Sequence, residues 1–232
     1  MVVHCFYGLM AHISEFIPDS SPVAIIIRHA ERDPIRDMNS PFEAMLTDNG
    51  INQSIELGKR ISKLAPVRIY YSPVPRCRDT AVNICRGINE TNKAAENAGD
   101  IFDLAAPYIV GGWSTIAGII KKSGHDTFLR SWFDGEVSDE LIMPLREAFF
   151  TQMQILLKQL SENTSSTINV THDWNILILR EAIFNLRHED IGMPDFLDGI
   201  ALKITDDSLD CYYHDHHRRL PIKDLLIPLN KK

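Results

Sequence analysis

The sequence predicts an α/β protein: a three-layer sandwich with a mostly parallel central sheet flanked by helices, plus a small inserted cap. Three observations predict it. Short β-branched runs alternate with helix-period segments, the first run is apolar enough to be buried on both faces, and three such runs end in basic or polar residues just before a helical pattern begins. At 232 residues the chain suits one domain, with 89–140 as the cap insertion. A chain of this size buries about 70–75% of its unfolded surface, so it needs no disulfide staples.

The first strand is Val23-Ala24-Ile25-Ile26-Ile27, and it runs into Arg28, His29, Ala30, Glu31, Arg32, Asp33 and Pro34. The chain therefore leaves the core with a basic pair at the carboxyl end of a strand, where open α/β sheets bind their ligands. A helix over 48–64 follows, with Ile51, Ile55, Leu57, Ile61 and Leu64 near helical spacing, Thr47 or Asp48 as its cap and Pro66 as its stop. Val67 to Tyr71 reads as the second strand. Ser72-Pro73-Val74-Pro75 turns the chain and sets Arg76 at the mouth of a helix over 77–88. The stretch 89–140 loses this regularity: Gly111-Gly112 breaks the chain, and Trp113, Trp132 and Phe133 read as core residues before substrate walls. A helix over 141–162 lines up Leu145, Phe149, Met153, Leu156 and Leu160. The third strand, 167–171, ends in His172-Asp173 ahead of a helical stretch over 174–186, and Gly199–Thr205 with Cys211–Tyr213 reads as a closing hairpin.

Composition removes several function classes. A net charge of −7 disfavours a polyanionic partner such as nucleic acid, though not a small phosphate ester that needs only a local cluster of cations. No apolar stretch approaches the roughly 18 residues of a membrane span. Met1 to Ala11 lacks the Lys or Arg that opens a signal peptide, so a cytoplasmic location is expected. Cys5, Cys77, Cys85 and Cys211 lack close Cys-x-x-Cys spacing, which leaves a zinc finger or disulfide framework unsupported; Cys77 and Cys85 share a helical face with Ala81, Ile84 and Ile88. None of the four cysteines has an Arg six residues on, as a cysteine phosphatase would require. Neither a Gly-x-x-x-x-Gly-Lys loop nor a Gly-x-Ser-x-Gly elbow is present.

In a parallel sheet the three strand ends converge, so Arg28, His29, Arg32, Arg76, His172 and Asp173 are expected in one crevice despite their separation in sequence. Guanidinium groups around an imidazole make a positive pocket for a compact oxyanion with a nucleophile inside it. His-Asp pairs recur at His125-Asp126 and His214-Asp215, but the first follows a Lys-Lys-Ser-Gly stretch in the irregular cap and the second follows the closing hairpin with no such helix behind it. The run His214-Asp215-His216-His217 reads as solvated rather than as a metal site.

These residues resemble the histidine phosphatase superfamily, of phosphoglycerate mutase-like fold. Arg28-His29-Ala30-Glu31 is similar to its Arg-His motif, Leu46-Thr47-Asp48-Asn49-Gly50 to its Leu-Thr-x-x-Gly segment, and Ser72-Pro73-Val74-Pro75-Arg76 to its helix start. The spacing to Arg32 and Pro34, with the late pair His172-Asp173, resembles the histidine acid phosphatase branch, whereas Ala30 stands where that branch usually has Gly. The resemblance implies hydrolysis of a small phosphomonoester through a phosphohistidine at His29, with Arg28, Arg32, Arg76 and His172 around the phosphate and no cofactor or metal. Asp173 is the expected proton donor to the leaving group, with a mildly acidic pH optimum; Glu31 and Asp103 are the alternative acids. A phosphomutase and a noncatalytic phosphate-binding module are the rival readings.

Overall fold

The computed structural model describes residues 21–35, 40–162 and 164–225. The sequence readings of Met1–Ala11 and Cys5 lie outside them. A seven-stranded mixed sheet organises the chain. Its strands are β1 (Val23–Arg28), β2 (Val67–Tyr71), β3 (Ala95–Asp100), β4 (Ser166–Thr171), β5 (Gly199–Thr205), β6 (Ser208–Tyr213) and β7 (His216–Pro221), in the spatial order β3-β2-β4-β1-β5-β6-β7. The half containing β3, β2, β4 and β1 is parallel, and β5, β6 and β7 add to it antiparallel. The central strand is thus the first in sequence among the described residues, lying between β4 and β5.

Alternation along β1 divides the core into two layers, since successive side chains of a strand point to opposite faces. Val23, Ile25 and Ile27 face helices α1 (Asp48–Ile61) and α2 (Pro75–Asn89), meeting Leu57, Ile61, Cys77, Ala81, Ile84 and Ile88. Ala24 and Ile26 face the opposite layer, where Met153, Leu156, Ile176 and Leu179 sit on what become α5 (Leu145–Glu162) and α6 (Asp173–Phe184) once the two intervening helices are counted. Those two are α3 (Trp113–Ser123) and α4 (His125–Phe133). They form a third apolar cluster with Tyr108, Phe128, Trp132 and Ile142 against Trp174, Leu177 and Ile178 of α6. Asn175 Nδ2 anchors the start of this segment by donating to the Ala105 carbonyl at 2.8 Å.

Local chemistry explains the element ends. Thr47 caps α1, its hydroxyl accepting from the Gly50 amide at 3.0 Å, and Pro75 opens α2, where a missing amide hydrogen costs nothing. The two helices cross at glycines: a Cβ on Gly58 would lie 2.2 Å from the Ile84 carbonyl oxygen, and one on Gly87 2.1 Å from that of Ile55.

Two strands differ from the sequence reading. Residues 95–100, inside the stretch read as irregular, form β3: Ala-Glu-Asn-Ala-Gly-Asp has no β-branched residue, and its pairing is imposed by the β2 template beside it. Residues 216–221, read as a solvated tail, form β7, an edge strand whose exposed His and Arg side chains mask the period-two signal. The helix expected from 141 begins at Leu145, after Pro144. Among the described residues no helix is long and apolar enough to cross a membrane.

Candidate active site

Backbone pairing holds the end of β1 in place: the His29 amide donates to the Thr171 carbonyl at 2.9 Å, and the Arg28 amide to that of Asp198 at 2.8 Å. His29 is 2% exposed. Its Nδ1 lies 2.8 Å from the Ala30 carbonyl oxygen, which can only accept, so Nδ1 carries the proton and Nε2 keeps its lone pair. Arg76 Nε donates to that Nε2 at 3.0 Å. Burial, then the charge of Arg76 and the neighbouring His172, hold the His29 imidazole well below its usual pKa, and at neutral pH the ring is uncharged.

Arg76 stands in the first turn of α2 and is itself buried. Its Nη1 donates to the Pro41 carbonyl at 3.0 Å and its Nη2 to His172 Nδ1 at 3.3 Å. A guanidinium has no acceptor, so His172 Nδ1 is the bare nitrogen and Nε2–H donates to Ser72 Oγ at 2.9 Å. His172 precedes α6 as its cap residue, its ring 5.6 Å from that of His29. Burial above all, with Arg76, pushes its pKa down to about 3. By accepting from Arg76 Nη2, His172 Nδ1 supports the guanidinium. The Cys77 thiol packs 3.7 Å from the same ring, pushed up to about 12 by burial and therefore not a thiolate.

Arg28 turns sideways. Its Nη2 pairs with Asp173 Oδ2 at 3.1 Å, its Nη1 donates to the Pro194 carbonyl at 2.6 Å, and its guanidinium lies 4.3 Å above the Phe196 ring. Phe196 also lies 5.8 Å from the His29 ring. Sequence reasoning missed Pro194 and Phe196, which sit in the loop before β5 with no local motif.

A cleft of about 190 Å³ opens over this group. His29, Arg32, Arg76, His172 and Asp173 form its polar end, whereas Arg28 stands behind Asp173 and does not line it. The alternative acids lie elsewhere. Glu31 accepts from Thr47 Oγ1 at 2.7 Å and Asn49 Nδ2 at 2.8 Å, tying the end of β1 to the start of α1. Asp103 lines a separate depression with Arg68 and Tyr70. Trp132 and Phe133 are core residues, as expected, but Trp113 lines the cleft. So does His125, which the sequence reading set aside as part of an irregular cap but which begins α4.

The histidines near the C-terminal hairpin separate onto different carboxylates. His214 bonds Asp198 and His217 bonds Asp210, each at 2.9 Å, and His217 stacks on Tyr212 at 4.4 Å. Among the described residues Glu181, His188 and Glu189 come close enough to share a cation, but Arg130 already fills that role, 2.7 Å from Glu181 and 3.5 Å from Glu189.

Residues 24–100 match the family model of the histidine phosphatase superfamily (branch 1). That match corrects the branch: the spacing to Arg32 and Pro34 and the pair His172-Asp173 resemble the acid phosphatase branch, whereas the model that residues 24–100 match is that of branch 1. No curated protein matches the sequence. Solved structures share the fold. A mycobacterial hydrolase is similar with a TM-score of 0.59 at 14% identity, over 88% of this chain and 94% of that one. A histidine-to-alanine mutant of Entamoeba histolytica phosphoserine phosphatase, in complex with phosphoserine, gives 0.56 at 18%, over 84% and 97%. A mycobacterial glucosyl-3-phosphoglycerate phosphatase gives 0.55 at 17%, over 78% and 89%.

Proposed function

For a chain that residues 24–100 assign to the histidine phosphatase superfamily, we propose hydrolysis of a small phosphorylated metabolite through a phosphohistidine at His29. One observation carries the reading: an uncharged imidazole with its Nε2 lone pair at the cleft floor, 3.0 Å from a buried guanidinium. In the first step Arg76 moves its Nε–H from His29 Nε2 to a phosphate oxygen, the freed lone pair attacks phosphorus, the ester P–O bond breaks, and Asp173 gives its proton to the departing alkoxide. In the second, water attacks the phosphohistidine, Asp173 takes the water's proton back, and inorganic phosphate leaves with His29 restored. Arg32 and Arg76 meet the nonbridging oxygens, where fixed charge stabilises the transition state with little reorganisation. His172 holds Arg76, and Arg28 holds Asp173 while adding positive potential.

Phosphatases among the structural relatives, one of them for phosphoserine and another for glucosyl-3-phosphoglycerate, support a phosphomonoester as substrate. The chemistry calls for no cofactor. The unpaired state of Cys77, Cys85 and Cys211 supports a cytoplasmic site of action, because such compartments keep thiols reduced. The segment carrying α3 and α4 acts in this reading as the cap over the leaving group. Rapid quench with labelled phosphoester tests it. The wild type should give a base-stable, acid-labile phosphoenzyme and release inorganic phosphate without isomerising phosphoglycerate. His29→Ala should lose the phosphoenzyme and at least about 1,000-fold in kcat. Turnover that survives in His29→Ala would refute the nucleophile.

A further inference from the structure

The cleft has two ends of opposite character. Among the described residues lining it, the cations are Arg32 and Arg76; they share one end with His29, His172 and Asp173, and Arg76 lies within 3.0 Å of His29 Nε2 and 3.3 Å of His172 Nδ1. Away from them the wall is Phe42, Tyr108, Ile109, Trp113, Ile120 and Trp174. Three of the rings run in sequence around the opening, Phe42 to Trp113 at 6.2 Å and Trp113 to Trp174 at 6.1 Å between centroids. The polar group at this end is His125. Its Nε2 accepts from Trp174 Nε1 at 3.2 Å, and its Nδ1 faces the Asp126 carboxylate at 3.2 Å, so both nitrogens are engaged and the nearest charge is negative. An additional carboxylate on the substrate, as in phosphoserine or 3-phosphoglycerate, would be drawn from water onto indole and isoleucine, with no cation among the described residues that line this end. A ring would instead replace water against ring faces.

We propose that the ester hydrolysed at this site carries an uncharged, ring-bearing apolar leaving group. The inference rests on the hydrolase reading and adds the substrate class. The test compares esters of matched leaving-group reactivity, benzyl phosphate against glycerol 1-phosphate, with phosphoserine and 3-phosphoglycerate alongside. Burying one ring predicts a kcat/KM for benzyl phosphate about 10- to 100-fold above each of the others. Trp113→Ala, and separately Phe42→Ala, should bring that ratio toward one. Binding is measured in parallel by calorimetry with unreactive phosphonates, benzylphosphonate against phosphonoacetate, where the wild type should prefer the benzyl compound at least tenfold. Equal kcat/KM values, or equal phosphonate affinities, would overturn the proposal. Tight benzylphosphonate binding without turnover of any ester would instead sustain the substrate class and bring down the hydrolase reading.

Discussion

Asp173 is the acid that lines the cleft among the described residues, its side chain 28% exposed and 3.1 Å from Arg28. Asp173→Asn keeps the shape and removes the transferable proton. We expect kcat on alkyl phosphates to fall about 10²- to 10⁴-fold, with a far smaller loss on p-nitrophenyl phosphate, whose leaving group departs without a proton. Equal losses on the two would move the role to another group. At this scale the sequence was informative about residue types at strand ends: His29, Arg32, Arg76, His172 and Asp173 do meet. It carried no sign of Phe196 beneath Arg28 or of His125 on the far wall, because each contact joins segments far apart in sequence with no shared periodicity. The proton positions on the two imidazoles were equally hidden, since they follow from a carbonyl and a serine that only the folded backbone brings near.

Arg76 depends on the placement of α2, and that helix depends on α1. Gly58→Ala pushes a methyl group to within 2.2 Å of the Ile84 carbonyl oxygen, so the helices must part. Overpacking of this kind costs about 1–3 kcal/mol, read as a lower urea midpoint, and the shifted helix should raise KM for the phosphoester as well. An unaltered midpoint and KM would show that the crossing has slack. Elements with a strong period, such as β1, α1 and β4, lay open in the sequence. The edges did not: β3 and β7 take their conformation from the neighbours they pair with, and a strand defined by its partner leaves little mark of its own.

For the molecule as a whole, two buried neutral histidines set a pH limit. Unfolded histidine titrates near 6.5. The folded pKa lies well below that for His29, and at about 3 for His172. Between those values the unfolded chain binds protons that the folded chain refuses. The stability these rings allow is therefore complete above about pH 6.5 and drains away as pH falls toward the folded values, by about 1.4 kcal/mol per pH unit for each ring. Urea midpoints measured from pH 7 down to 5 should fall, and fall less steeply in His172→Asn; identical slopes in the two proteins would refute the linkage. The position of β1 between β4 and β5 has a further consequence, one of timing. During synthesis the most apolar strand emerges first, yet its neighbours, Ser166–Thr171 and Gly199–Thr205, emerge far later. Nascent chains must therefore keep Val-Ala-Ile-Ile-Ile from associating with one another for most of translation. Truncations ending before residue 166 should collect as insoluble aggregates, while chains long enough to supply both flanking strands stay in solution.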